Sequence, residues 1–517
     1  MWSLVISLLV LQQYCDNVAG ATAEPTDGAY WNTYGEEQIK KAIERENLNQ
    51  NVAKNVIVFL GDGMGVTTNT AARIFKGQLA GQTGEEANLV WDEFPHVALS
   101  KTYNTNRQVS DSAGTGCALF TGVKTKYEVI GVDDTIEFAK CSTAEEAAVD
   151  SVLVSAEEAG KSTGIVTTSR VTHATPANLY AHSASRHWEH DGKMPAEEAA
   201  EGCIDIGAQF FENAKDVEVV LAGGRGYLSG TNTADPEYPD KNGLRVDERN
   251  IIEEWQQHHQ DQGDQSSYVW NEADFNAVNP EETDFLLGLF EPSHMQYEHQ
   301  RVNDPAGEPS LAEMTEKAIQ ILQKNEKGFF LMVEGARIDH AHHYGNAFLA
   351  LTDVQAMDKA VNKTLEMVNL EETLIIVTAD HAHVMTINGY PQRGNPLFGV
   401  NDNEMGTDGL PFATLSYAMG PGANLELDSL NKTGKRRNLT EEEISDPEFL
   451  NPALIPTKFE NHGGQDVAIF ATGPRAHLFH GVHEDTYVAH VIRYASCTGN
   501  YDNNACTGKK KKTRKVQ

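Results

Sequence analysis

Asp339 and His343 stand four residues apart in a run that also holds His340 and His342, so on a helix the first pair would share one face. Asp380 and His381 add a carboxylate and an imidazole side by side. Asp62 sits between Gly61 and Gly63, where the backbone can turn sharply and approach a ligand. Mixed Asp and His ligation suits zinc, while hydroxyl and carboxylate oxygens suit magnesium. A single Asp-His step is more often structural than metal-binding. Several such groups together outweigh that explanation.

A nucleophile is also in view. The stretch Ser110-Asp111-Ser112-Ala113-Gly114-Thr115-Gly116 precedes the helix-like CALFTGV. A serine at a helix N-terminus lies near free backbone N–H groups, which favour an anion there. Taken alone, Ser112 reads as an ordinary N-cap. No chymotrypsin-like or hydrolase-elbow signature accompanies it. Beside metal ions, however, a serine needs no histidine base, because coordination itself favours the alkoxide.

These residues follow short apolar, β-branched runs that read as buried strands: 56–60, 164–168, 217–221, 329–333, 374–378 and 467–471. Helical patterns lie between many of them, as at 311–323. Strands alternating with helices predict an α/β fold, a doubly wound and mostly parallel central sheet with helices on both faces. In such sheets ligands bind beyond the carboxyl ends of the strands. The first run leads to Asp62, the second to His173 and Thr175, the fourth to Glu334, Asp339 and His343, and the fifth to Asp380-His381. Four strands therefore deliver polar groups to one edge, which packing alone does not explain. Residues 384–460, rich in Gly, Asn, Pro and acidic residues, break the alternation and read as an inserted subdomain. The α/β domain is then 51–383 with 461–506, and 22–50 reads as an amphipathic N-terminal helical arm.

The formal net charge of −34 over 517 residues argues against a nucleic-acid surface and requires local positive charge, such as metal ions, to draw in an anionic substrate. Residues 1–21 read as a signal peptide, with the apolar run WSLVISLLVL and a small-residue Ala19-Gly20-Ala21 site, which implies secretion. No second apolar stretch is long enough to span a membrane. Residues 507–517 read as a basic, disordered tail, with no hydrophobic lipid-anchor signal. Removing the leader leaves Cys117, Cys141, Cys203, Cys497 and Cys506, an odd number. Cys497 with Cys506 would close a short loop and Cys141 with Cys203 a longer one, leaving Cys117 free; spacing leaves the connectivity open. Asn362, Asn431 and Asn438 head glycosylation sequons.

Six blocks in colinear order closely resemble the animal alkaline phosphatases: LGDGMG (60–65), DSAGTG (111–116), THATPA (172–177), VEGARIDHAHH (333–343), TADHAH (378–383) and ENHGGQDV (460–467). The resemblance extends from about residue 30 to Cys506. It implies hydrolysis of phosphate monoesters through a covalent phosphoserine at Ser112, with two zinc ions and one magnesium ion. One zinc would be held by Asp339, His343 and His462, and the second by Asp62, Asp380 and His381. Magnesium would sit on Asp62, Thr175 and Glu334, with His173 close by. Arg186, in SASRHWEHD, would clamp two phosphate oxygens, a task suited to its paired N–H donors. A calcium site is implied at Glu237, the backbone of Phe290, Glu291 and Glu308; Glu308 stands where the family pattern has aspartate. The resemblance further implies a homodimer, with Tyr390 reaching across it, 384–460 forming the crown and the N-terminal helix embracing the partner. Gly114 and Gly116 depart from a run of alanines and predict a looser turn after Ser112. Phosphodiesterases and sulfatases of the same superfamily use threonine or a modified cysteine as nucleophile and lack the magnesium set, so Ser112, Thr175 and Glu334 argue against them. A non-catalytic metal- or phosphate-binding relative would not need every ligand, and every one is present.

Overall fold

The computed structural model describes residues 48–501, and also 36, 37, 39 and 40. The expected signal peptide, most of the expected N-terminal arm, Cys506 and the basic tail lie outside the described residues. Among the described residues the main-sheet strands are β1 (Asn55–Gly61), β2 (His96–Lys101), β3 (Ser162–Arg170), β4 (Val219–Gly223), β5 (Ser266–Val269), β6 (Phe285–Leu289), β7 (Phe329–Gly335) and β8 (Thr373–Ala379). After the short β9 (Ala382–His383), β10 (Met385–Ile387), β11 (Leu415–Gly420), β12 (Ala453–Pro456) and β13 (His462–Gly463), the sheet is completed by β14 (Val467–Thr472) and β15 (Gly481–Glu484). The order is β15-β2-β14-β8-β1-β7-β3-β4-β6-β5. Only β14 runs against its neighbours; the other nine strands are parallel.

Buried parallel strands need apolar residues on both faces, because helices cover each side. The central strands supply them by alternation. Ile57, Phe59, Leu331, Val333, Ile375 and Val377 face one core. Val56, Val58, Leu60, Phe330, Met332, Leu374 and Ile376 face the other. The helices that position the site are α1 (Val66–Leu79), α2 (Ser112–Thr121), α3 (Ala174–Ala177), α4 (Leu311–Leu322), α5 (Arg337–His343) and α6 (Ala347–Met367). In α4, Ser310 and Glu313 form a reciprocal capping box, which fixes its start one residue after the cap.

Within 384–460, β10, β11 and β12 form a separate three-stranded sheet, with α7 (Gly422–Thr433) beside it. The chain leaves the main sheet through β9 and returns through β13, and these two pair antiparallel with His383 opposite His462. Cys141 and Cys203 form a disulfide. Cys117 is a free, buried thiol whose burial pushes its pKa up to about 12, so it stays protonated and unreactive. Among the described residues no helix is long and apolar enough to cross a membrane.

Candidate active site

Strand register builds the centre of the site. Gly61 pairs with Ala379 on one side and Gly335 on the other, so Asp62 and Asp380 each follow a paired position at the carboxyl end of adjacent strands. Glu334 lies opposite both Leu60 and Thr167, at the same level. Gly63 has φ of +69°, and its N–H donates to Asp380 Oδ1 at 3.0 Å, which brings the β1 turn against the next strand. Asp62, Glu334, Asp380 and His381 are all buried.

Ser112 joins them from α2. It is the first residue of that helix and not its cap: Asp111 is the N-cap, accepting from the N–H groups of Ala113 and Gly114. The Ser112 hydroxyl is thereby free to face the metal-type cluster, with Oγ 3.3 Å from Asp62 Oδ1 and 3.1 Å from His381 Nε2. His381 Nε2 is also 3.2 Å from Asp62 Oδ1 and 3.3 Å from Asp380 Oδ2. Thr115, one turn on, donates from Oγ1 to Asp380 Oδ2 at 3.0 Å.

Asp339, His343 and His462 form a second set. Asp339 and His343 stand on α5, with Asp339 Oδ2 3.4 Å from His343 Nε2, while β13 brings His462 Nε2 within 3.3 Å of Asp339 Oδ1. His343 Nδ1 faces the Glu460 carbonyl at 2.5 Å and His462 Nδ1 faces the Ser110 carbonyl at 2.7 Å. A carbonyl only accepts, so both Nδ1 atoms carry the proton and both Nε2 atoms present lone pairs. Those two Nε2 atoms lie 3.0 Å apart beside the Asp339 carboxylate. Two lone pairs and an anion converging in that way fit a cation, and the carbonyl partners are the outer contacts that orient ligating histidines.

A third group comprises Asp62, His173 and Glu334, whose ligand atoms approach within 4.8 Å of one another. Glu334 Oε1, Asp62 Oδ2 and Thr175 Oγ1 are buried without a hydrogen-bond partner. Thr175 lies close enough to Glu334 to pull its carboxyl down, yet burial prevails and lifts it to about 7. Burial first, then Asp380, Asp339 and Glu334, hold Asp62 well above the usual carboxylate range. Buried anions with orphaned oxygens and raised pKa values fit divalent cations, which would supply the missing charge.

Arg186 closes the opposite side. Its NH1 pairs with Asp111 Oδ2 at 3.0 Å and its NH2 lies 3.1 Å from His173 Nε2. The negative field of Asp111, Asp62 and Asp339 outweighs burial and raises its pKa, so it is a fixed cation.

The structure thus gathers Asp62, Ser112, His173, Thr175, Arg186, Glu334, Asp339, His343, Asp380, His381 and His462 into one region. Glu237, Glu291 and Glu308 meet elsewhere, in a separate acidic cluster, and Phe290 buries its ring in the core ahead of them. His340 stands instead beside His173 and His294, with their ring nitrogens within 4.8 Å of one another, and His342 is held between Thr68 Oγ1 at 3.1 Å and Tyr417 OH at 2.8 Å. Sequence reasoning overlooked His383 and Glu460. His383 Nε2 is 2.7 Å from Asp339 Oδ1, and its Nδ1 contacts Glu460, which also accepts from Val384 N at 2.8 Å. The signal for His383 was its position two residues after His381, the spacing that returns a side chain to the same face of an extended segment.

The sequence pattern of the family described as alkaline phosphatase matches residues 53–498. This chain belongs to the alkaline phosphatase family. It is 48% identical over 486 residues to the tissue-nonspecific alkaline phosphatase isozyme of Mus musculus, covering 93% of this chain and 91% of that protein. It is 45% identical to an alkaline phosphatase of Gadus morhua, covering 93% and 99% of the two chains. The solved alkaline phosphatase of the Antarctic bacterium TAB5 shares the fold, with a TM-score of 0.58 at 22% identity over 87% of this chain and 99% of that one. Membership in this family favours the alkaline phosphatase reading over the phosphodiesterase, sulfatase and non-catalytic alternatives.

Proposed function

We propose that this alkaline phosphatase hydrolyses phosphate monoesters through a phosphoserine at Ser112, and that two zinc ions and one magnesium ion serve the reaction. The observation that carries the proposal is the convergence of Asp62, Asp380 and His381 on Ser112 Oγ. Asp62, Asp380 and His381 would hold one zinc, Asp339, His343 and His462 the other, and Asp62, Thr175 and Glu334, with His173 nearby, the magnesium. When bound, such ions lower the pKa of coordinated hydroxyl groups and neutralise charge on the attacking and leaving oxygens of an in-line displacement.

The protein's own part is positioning. Asp111 ties Arg186 at one terminal nitrogen and His173 meets the other, which leaves N–H donors on both for two oxygens of a phosphate dianion. Ser112 Oγ gives up its proton and bonds to phosphorus, and the ester P–O bond breaks as the leaving oxygen takes up one proton and departs as the alcohol. Water then attacks phosphorus, the Oγ–P bond breaks, and inorganic phosphate leaves as the serine hydroxyl regains its proton. Asp111 caps α2 independently of Ser112, so Ser112→Ala should fold and bind metal normally. Its phosphate release should fall by about 10³-fold or more, and acid-quenched enzyme should carry no labelled phosphoserine. Unchanged phosphate release by Ser112→Ala would remove the mechanism.

The reading extends to the rest of the molecule. Glu237, Glu291, Glu308 and the Phe290 backbone would hold calcium. Residues 384–460 would form the crown of a homodimer, and the chain would be secreted and glycosylated.

A further inference from the structure

Outside the Ser112 site, a second acidic cluster gathers where β6 ends. Glu291 Oε1 accepts from Tyr238 OH at 3.1 Å and from Gln296 Nε2 at 2.8 Å. Glu237 Oε2 accepts from Arg225 at 2.8 Å, but Glu237 Oε1 is buried with no partner, on a side chain only 3% exposed. Glu308 is 1% exposed; its Oε1 accepts from Gln296 N at 2.8 Å and its Oε2 is buried and unpartnered.

A fourth carboxylate, not anticipated from the sequence, faces the same space. Asp304 buries both carboxylate oxygens, and neither has a hydrogen-bond partner. Its charge acts directly on Glu237 and on Glu308. Its backbone is fixed by a turn, with Asp304 N donating to Arg301 O at 3.0 Å, so the carboxylate is presented by a defined loop that ends at Glu308. The cations nearby do not balance four acids. Arg225 already shares its guanidinium with Asp235, at 2.7 Å, and Arg301 pairs with Glu298 at 2.9 Å while giving NH1 to the Glu308 backbone carbonyl. Four clustered carboxylates, three of them with buried and unpartnered oxygens, and one shared guanidinium lack a positive charge.

We propose that Asp304 is a calcium ligand, completing a site with Glu237, Glu291 and Glu308 and carried there by the 302–307 loop. This rests on the calcium reading given above and adds a residue that the reading does not contain. The donors are all hard oxygens, several of them ionisable, and they come from three separate chain segments, with Asp304 and Glu308 on one loop. Calcium, which takes six to eight oxygens in flexible geometry, suits that set better than magnesium, which retains water and a strict octahedron.

The test uses the enzyme loaded with zinc and magnesium and dialysed free of calcium. Calorimetric titration with calcium chloride should show one calcium bound per chain. Asp304→Asn, equal in shape but uncharged, should weaken that binding by at least about tenfold, with zinc content and turnover of p-nitrophenyl phosphate unchanged. Without calcium the variant should melt at the same or a higher temperature than the parent, because a buried repulsive charge is gone; in millimolar calcium the order should reverse. A merely structural aspartate would lower the melting temperature in both conditions. Asp304→Ser should behave like Asp304→Asn. If the variants bind calcium as tightly as the parent, Asp304 is not a ligand while the calcium reading stands. If the parent itself binds no calcium, that reading fails and the role of Asp304 fails with it.

Discussion

Asp111 takes the cap of α2 and so releases the Ser112 hydroxyl to Asp62 and His381. The same carboxylate receives Asn104 at 3.1 Å and Arg186 at 3.0 Å, so one side chain orients both the serine-bearing helix and the guanidinium. Glu157, by contrast, faces other carboxylates. Glu157 is lifted to about 7, first by burial and then by the charges of Glu218 and Asp216. Its folded-state pKa thus exceeds the ordinary value of 4.5. The stabilisation from its retained proton is full below the unfolded pKa and is lost as pH rises through the folded one. Glu157→Gln keeps an acceptor for Thr163 Oγ1, which donates to Glu157 at 3.0 Å, and removes the charge. The variant should gain little at the acid end of the range and up to about 3 kcal/mol above the folded pKa. Melting temperatures measured at mildly acid and mildly alkaline pH check this. An equal offset at both would assign the effect to something other than this titration.

At the scale of elements, α2 packs against the segment running through α3, and Asn178 makes the joint. Asn178 Nδ2 donates to Ala113 O at 2.9 Å, and its Oδ1 accepts from Gly131 N at 2.8 Å. A Cβ on Gly116 would meet Asn178 Nδ2 at 2.7 Å, and one on Gly114 would meet the Asn104 side chain at 2.5 Å. Both glycines are therefore needed for close approach, which differs from the looser turn that composition suggests. In Gly116→Ala, helix propensity favours alanine by about 1 kcal/mol, while overpacking against a pinned side chain costs about 1–3 kcal/mol. The variant should melt lower, and a higher melting temperature would restore the looser-turn explanation. The six strands legible in the sequence were those with continuous apolar runs, such as β1 and β8, because burial on both faces leaves no polar positions. β2 and β15 escaped notice because they lie at or next to the sheet edge, β2 exposing alternate residues and β15 burying none fully, and Gly288 interrupts the short run of β6. The polar groups at strand ends were legible because each follows closely on such a run. Glu460 and Asp304 were not, since they reach their partners on segments that return from distant parts of the chain, and Glu460 is what anchors His383.

The whole molecule leaves large apolar side chains uncovered, and several lie in 384–460. Tyr390 is 77% exposed and Leu454 81% exposed, and Met405 is also exposed. Leu454 lies beside a groove of about 450 Å³ shared with Leu427 and Leu430 of α7. A second copy covering this face would explain why the chain keeps them, provided that the contact reaches the area of about 1,200 Å² or more typical of stable interfaces. Two chains that each carry a formal charge of −34 repel one another, and apolar contact at that face would supply an offsetting attraction. Salt screens the repulsion and leaves the apolar contact intact. Sedimentation velocity should therefore find a dimer that tightens as ionic strength rises, the reverse of an interface built on opposite charges. Tyr390→Ser and Leu454→Ser should each loosen it, shifting the monomer–dimer midpoint upward by about tenfold or more, while zinc content per chain stays constant. A parent enzyme that sediments as a monomer at all salt concentrations would assign these side chains to another partner.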